Sequence, residues 1–186
     1  MLKVALCQCD VVWESPKENG ERLWEPLEKF FDGDSADLLV FPEFFSMGFT
    51  MNRDAVAAEG GYTLGWMKRV AQRFDVAVVG SVPTRVEGKI RNRCYFITPD
   101  GAETYYDKRH LFTYGGEQHR FSGGEQRVIV EYKGIRFLLA VCYDLRFPVW
   151  LRNRGDYDAM IIVASWPSSR RYAWDTLVRA RAIENQ

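Results

Sequence analysis

The chain has 186 residues, 47% of them hydrophobic and 27% charged, with 25 basic against 25 acidic side chains and a formal net charge of +0. That balance argues against a dedicated nucleic-acid surface, and no apolar run reaches the roughly 18 residues of a membrane span. A chain of this size can bury one sizeable core, so a single domain over residues 1–186 is expected.

Met1-Leu-Lys-Val-Ala-Leu enters a strand pattern at once, without the parts of a signal peptide, and the chain is read as cytoplasmic. The four cysteines, Cys7, Cys9, Cys94 and Cys142, form neither a CxxC pair nor a dense framework. With only 2 histidines beside them, no structural metal site is expected and the thiols are read as reduced.

In chain order, Leu2 to Cys9 reads as a first central strand. Ser15-Pro16-Lys17-Glu18 combines an N-cap, a proline at the first helical position and a glutamate three residues after the serine, so a helix is predicted to begin there. Leu23, Trp24, Leu27, Phe30 and Phe31 continue it at spacings of three and four, with a kink expected at Pro26. Leu38 to Phe41 is a short apolar strand that runs into Pro42-Glu43. Trp66, Met67, Val70, Ala71 and Phe74 mark a second amphipathic helix, and Val76 to Val79 a third strand. These segments make β-α-β-α-β, which calls for a layered sheet covered by helices.

Arg93 to Thr98 and Ala102 to Tyr106 flank Pro99-Asp100-Gly101 as a hairpin. The second strand delivers Lys108-Arg109-His110. A glycine-rich loop, Gly115 to Gly124, follows; it lacks P-loop spacing and reads as a segment that lies against a ligand or moves over it. Arg127 to Glu131 and Ile135 to Val141 pair through Lys133-Gly134. Asp158 to Val163 is another buried strand, ending in Ala164-Ser-Trp166-Pro, and Arg170 to Gln186 is helical.

Four strand ends therefore carry Glu43, Lys108, Cys142 and Trp166. A buried strand followed by a turn and Pro148 lifts Cys142 clear of a sheet with backbone N–H groups nearby, the placement of a nucleophile. A cysteine taken at random is more often an inert core thiol, and the strand-end position together with Glu43 and Lys108 reverses that reading. Glu43 is either a desolvated general base or a solvated turn residue, and Lys108 either an anion anchor or part of a solvated basic cluster. His110 is a weaker candidate as a partner for Cys142. Trp166 either walls a pocket or packs in the core.

In Phe41-Pro-Glu43-Phe, Tyr106-Asp-Lys108-Arg-His-Leu-Phe and Val141-Cys142-Tyr-Asp-Leu-Arg-Phe-Pro148, taken together and in this order, the chain resembles the nitrilase, or carbon–nitrogen hydrolase, superfamily. The similarity spans the whole chain. Cys142 to Trp150, Ala164-Ser-Trp-Pro and Ala180 to Gln186 are most similar to the bacterial omega-amidase branch, which hydrolyses the terminal amide of 2-oxoglutaramate and 2-oxosuccinamate. The resemblance implies an α/β fold of the α+β kind, a four-layer α-β-β-α sandwich with its C-terminal part missing from this chain and a sheet edge left exposed there.

The same resemblance implies catalysis by Glu43, Lys108 and Cys142 through a Cys thioester. The Tyr143 N–H would be an oxyanion donor and Glu117 a second acid. Arg146, Arg170 or Arg171 would receive a substrate carboxylate, although Arg146 reads more readily as a local partner of Asp144. No cofactor is implied. The expected partner is a small-molecule amide, with no nucleic acid and no membrane, and with a homodimer or higher homo-oligomer if the C-terminal part is present. A nitrilase, an N-carbamoyl amidase or an aliphatic amidase would keep the same machinery, and a non-catalytic binding or assembly member is the non-enzymatic alternative.

Overall fold

A computed structural model describes residues 1–186. Strand β1 (Val4–Leu6) leads to helix α1 (Pro16–Gly33), β2 (Leu38–Glu43), α2 (Arg53–Glu59), α3 (Tyr62–Phe74) and β3 (Ala77–Val86). Next come β4 (Lys89–Ile97), β5 (Glu103–Asp107), β6 (Ile129–Tyr132) and β7 (Ile135–Val141). The chain closes with α4 (Pro148–Leu151), β8 (Ala159–Val163) and α5 (Arg171–Asn185).

Two sheets result, one of five strands in the order β1-β2-β3-β4-β5 and one of three in the order β6-β7-β8. The first three strands are parallel, as β-α-β connections require, and β3 to β5 form an antiparallel meander. The β3–β4 hairpin turns on Glu87 and Gly88 and the β6–β7 hairpin on Lys133 and Gly134, all at positive φ. Both are two-residue turns whose twist matches their strands. The sequence reading found the second of these hairpins and missed the first.

The sheets pack face to face. Leu38, Val79, Cys94 and Phe96 from the larger meet Val130, Phe137, Leu139 and Ile161 from the smaller. On its other face the larger sheet carries α1 and α3 through Leu23, Leu27, Trp66, Met67 and Val70. Leu151 and Tyr157 cover the outer face of the smaller sheet at Leu138 and Ala140. Helix α5 rests on the turn after β7, where buried Arg181 donates to the Leu145 carbonyl at 3.1 Å. The mixed α/β sandwich matches the expected class.

Three local readings change. The first strand is three residues long and lies at a sheet edge instead of the centre. The smaller sheet sets β8 against β2 and stops there, leaving Val4 47% and Leu6 79% exposed. Ser15 precedes the helix, but its hydroxyl donates to the Trp13 carbonyl instead of capping. Helix α2, not anticipated, is capped by Asn52, whose Oδ1 accepts from Asp54 and Ala55 N–H groups. No helix is long and apolar enough to cross a membrane.

The inter-sheet core gives a direct test. Phe96 is 1% exposed and packs against Tyr132 and Phe137. Phe96→Ala should lower unfolding free energy by about 3–5 kcal/mol, measured by urea denaturation.

Candidate active site

The register of β2 against β3 shifts between Val40 and Glu43, at the point where Pro42 removes a ladder donor. The irregularity ends the strand with Glu43 turned inward and places Phe44 at φ 50°, a left-handed conformation a phenylalanine rarely adopts. Lys108 follows β5 directly, and its N–H donates to the Asn92 carbonyl on β4 at 2.9 Å. Glu117 lies in the short helical turn Glu117–His119. All three side chains are fully buried, and Lys108 Nζ lies 2.9 Å from both Glu43 Oε1 and Glu117 Oε2.

Cys142 opens a 3-10 turn, Cys142–Arg146, at the end of β7, and it too is left-handed at φ 46°. Asp144 braces this turn. Its buried carboxylate accepts from Val141 N–H at 3.0 Å, Tyr106 O–H at 2.7 Å and His110 N–H at 2.9 Å, with His110 Nδ1 at 2.8 Å. The His110 ring stacks on Phe147, with centroids 3.6 Å apart. His110 is thus engaged by Asp144, and it is not the partner of Cys142. Arg146 is not paired with Asp144 either, because four donors already fill that carboxylate. Instead its guanidinium lies 5.2 Å from the Trp166 ring and 5.9 Å from the Tyr143 ring.

The charges in the cluster act on one another. Burial opposes the Lys108 ammonium, but Glu43 and Glu117, aided by Cys142, outweigh it and hold the amine above its ordinary value. Burial pushes the Glu117 carboxyl up, and the Glu43 charge adds to this against the pull of Lys108. Burial also pushes the Cys142 thiol well up, with Glu43 raising it further both by charge and as hydrogen-bond acceptor, while Lys108 opposes. A thiol in this setting rests protonated and needs a base to become a nucleophile.

A cavity of about 310 Å³ opens over Cys142 and Glu43. Phe49, Phe112, Tyr143 and Trp166 wall it, and the exposed Arg146 and Arg170 belong to its lining. Lys108 and Glu117 are not part of that lining. Trp166 is both wall and packing residue, since it meets Trp174 at 5.3 Å and its Nε1 donates to the Arg170 carbonyl. Arg171 pairs with Asp175 at 3.4 Å and does not line the cavity.

The glycine-rich loop behaves differently from expectation at its far end. A Cβ on Gly124 would sit 2.2 Å from the Asp107 carbonyl oxygen, and one on Gly123 would sit 2.9 Å from that of Arg109. The Gly124 N–H donates to the Lys108 carbonyl at 2.9 Å. These two glycines hold the main chain around Lys108 and lie outside the lining of the cavity over Cys142.

Two contributors escaped the sequence reading. Ser165 N–H donates to Glu43 Oε2 at 3.0 Å, a backbone contact that carries no side-chain signal. Asn92 Nδ2 donates to Glu43 Oε1 at 2.7 Å and Glu117 Oε1 at 3.1 Å. Its signal was present: Ile90, Asn92, Cys94 and Phe96 alternate along one face of β4, and a lone amide in a buried apolar row calls for buried polar partners.

The sequence model described as Carbon-nitrogen hydrolase matches residues 3–186. The chain belongs to the carbon–nitrogen hydrolase family. It is 42% identical over 185 residues to the omega-amidase YafV of Yersinia enterocolitica, covering 100% of this chain and 71% of that protein. It is 34% identical to the 2-oxoglutaramate amidase of Bacillus subtilis, covering 98% of this chain and 72% of that one. A solved CN-hydrolase superfamily protein of Xanthomonas campestris, with an arsenic adduct in its active site, superposes with a TM-score of 0.91 at 44% identity over 99% of this chain and 72% of that one. The carbon–nitrogen hydrolase described here is an amidase of the nitrilase superfamily.

Removing the buried cation should show its place in this hydrolase. Lys108→Met leaves Glu43 and Glu117 facing each other without compensation, and should cost about 3–5 kcal/mol of stability in chemical denaturation.

Proposed function

We propose that this amidase hydrolyses the terminal amide of a short 2-oxo dicarboxylic acid monoamide, 2-oxoglutaramate or 2-oxosuccinamate, through a thioester on Cys142. The observation that carries the reading is the placement of the Lys108 ammonium against Glu43, whose carboxylate also acts on the Cys142 thiol beside the cavity.

Glu43 accepts the thiol proton as the sulfur attacks the amide carbon. A C–S bond forms and the carbonyl π pair moves to oxygen. That oxyanion is stabilised by Lys108 and by the N–H of Tyr143, which lies in the first turn after β7, where helical N–H groups lack helical acceptors. Collapse of the intermediate breaks the C–N bond, and Glu43 passes its proton to the leaving amine, releasing ammonia. Water then attacks the thioester, with Glu43 accepting its proton and Cys142 leaving as the thiol. Glu117 shares Lys108 with Glu43 and orients the ammonium.

Arg146 and Arg170 support the choice of substrate. Both line a cavity otherwise dominated by aromatic rings, so a guanidinium is available to the substrate carboxylate while its amide end lies at Cys142. The relatives named for omega-amidase and 2-oxoglutaramate amidase activity favour the same class.

Glu43→Gln should reduce kcat on 2-oxoglutaramate by about 10²–10⁴-fold, the usual contribution of a positioned general base. In ammonia-release assays 2-oxoglutaramate should be preferred over glutamine. Preference for a nitrile or an N-carbamoyl amino acid would move the substrate assignment elsewhere in the family.

A further inference from the structure

Asn92 occupies an unusual position in the buried cluster. Its Nδ2 reaches Glu43 Oε1 at 2.7 Å and Glu117 Oε1 at 3.1 Å, and Lys108 Nζ reaches the same two oxygens at 2.9 and 3.3 Å. One amide and one ammonium thus bridge one pair of carboxylate oxygens from two sides. The Asn92 main-chain carbonyl also receives the Lys108 N–H at 2.9 Å. The residue holds the backbone of the lysine and the side chains of both acids.

The other end of the same amide has no partner. Asn92 is 0% exposed, and its Oδ1 is the one buried side-chain nitrogen or oxygen without a hydrogen bond. Turning the amide over would not help, because it would face Oδ1 against two carboxylates and leave the NH₂ group without acceptors. Burying an unsatisfied acceptor opposes folding, a cost set against the two bonds that Nδ2 makes to buried carboxylate oxygens. The amide is thus committed to the two carboxylates.

We propose that Asn92 is a positioning residue of the amidase, fixing Glu43 for proton transfer with Cys142 and keeping Glu117 on the far side of Lys108. This rests on Glu43 being the general base. The groups facing the cluster are Glu43 at the end of β2, Lys108 after β5, Glu117 in the loop, Cys142 after β7 and the Ser165 N–H after β8. A donor to a carboxylate favours its ionised form, and Asn92 acts on Glu117 in this direction. Withdrawing the donor makes Glu117 easier to protonate, so the charge balance around Lys108 is lost at a higher pH.

The test uses Asn92→Leu, Asn92→Ser and the near-isosteric Asn92→Asp. Each is assayed for steady-state 2-oxoglutaramate hydrolysis from pH 5 to 9, for the pH dependence of Cys142 alkylation by iodoacetamide, and for thermal unfolding. In every variant that unfolds cooperatively, kcat should fall by about 10- to 100-fold, the range for a hydrogen bond to a charged group, with KM little changed. The acid limbs of both profiles should move to higher pH, furthest for Asn92→Asp, which adds a negative charge. Wild-type limbs in folded variants would overturn the inference, as would loss of the fold in all three, which would make Asn92 a stability residue. The base assignment fails separately, if Glu43→Gln keeps wild-type turnover.

Discussion

A single ammonium group, that of Lys108, is held without solvent between two carboxylates that are themselves without solvent. Burying any one of these charges alone would be prohibitive, and the arrangement persists only because the three compensate one another and backbone or amide donors fill the remaining lone pairs. Ser165 N–H serves Glu43, Phe112 N–H serves Glu117, and Asn92 serves both. Burial is the main cause of the upward displacement of both Glu117 and Cys142, and the charge of Glu43 adds to it while Lys108 opposes.

The fold is arranged around that requirement. Strands β2 and β7 belong to different sheets, and their ends bring Glu43 and Cys142 to one cavity, while the β4–β5 pair sets Lys108 beside Glu43. At both Phe44 and Cys142 the chain leaves its strand through a left-handed residue without glycine. Such conformations cost energy and survive where the surroundings over-determine them. Phe44 is held by its N–H to the Ser81 carbonyl, and the Cys142 turn by Asp144. Asp144 also grips Tyr106 and His110, which flank Lys108 in sequence, so the Cys142 turn and the lysine strand end are tied to one another.

Much of this was legible from residue order because strand-end chemistry is a local signal. Glu43 after Leu38 to Phe41, and Cys142 after Phe137 to Val141, announce themselves by a polar residue at the end of an apolar run. The hairpin through Lys133-Gly134 and the helix over Tyr62–Phe74 were likewise set by local turn chemistry and periodicity. What stayed hidden depends on pairing across the fold. Asp144 lies two residues from Arg146, and proximity along the chain suggested an ion pair, yet its partners come from β5 and the residues just after it. The edge position of β1 depends on the order in which the strands of its own sheet pair, which no window of sequence reports. Asn92 lies one residue before the strand read from Arg93 to Thr98, and its tie to both carboxylates depends on pairing across the fold.

The most direct measurement is mass spectrometry of the protein acid-quenched during turnover of 2-oxoglutaramate. An acyl group on Cys142, absent from Cys7, Cys9 and Cys94 and absent in Cys142→Ala, is the expected result. Full turnover by Cys142→Ala, or an acyl group on another cysteine, would contradict the convergence of Glu43, Lys108 and Cys142 on one carbonyl carbon.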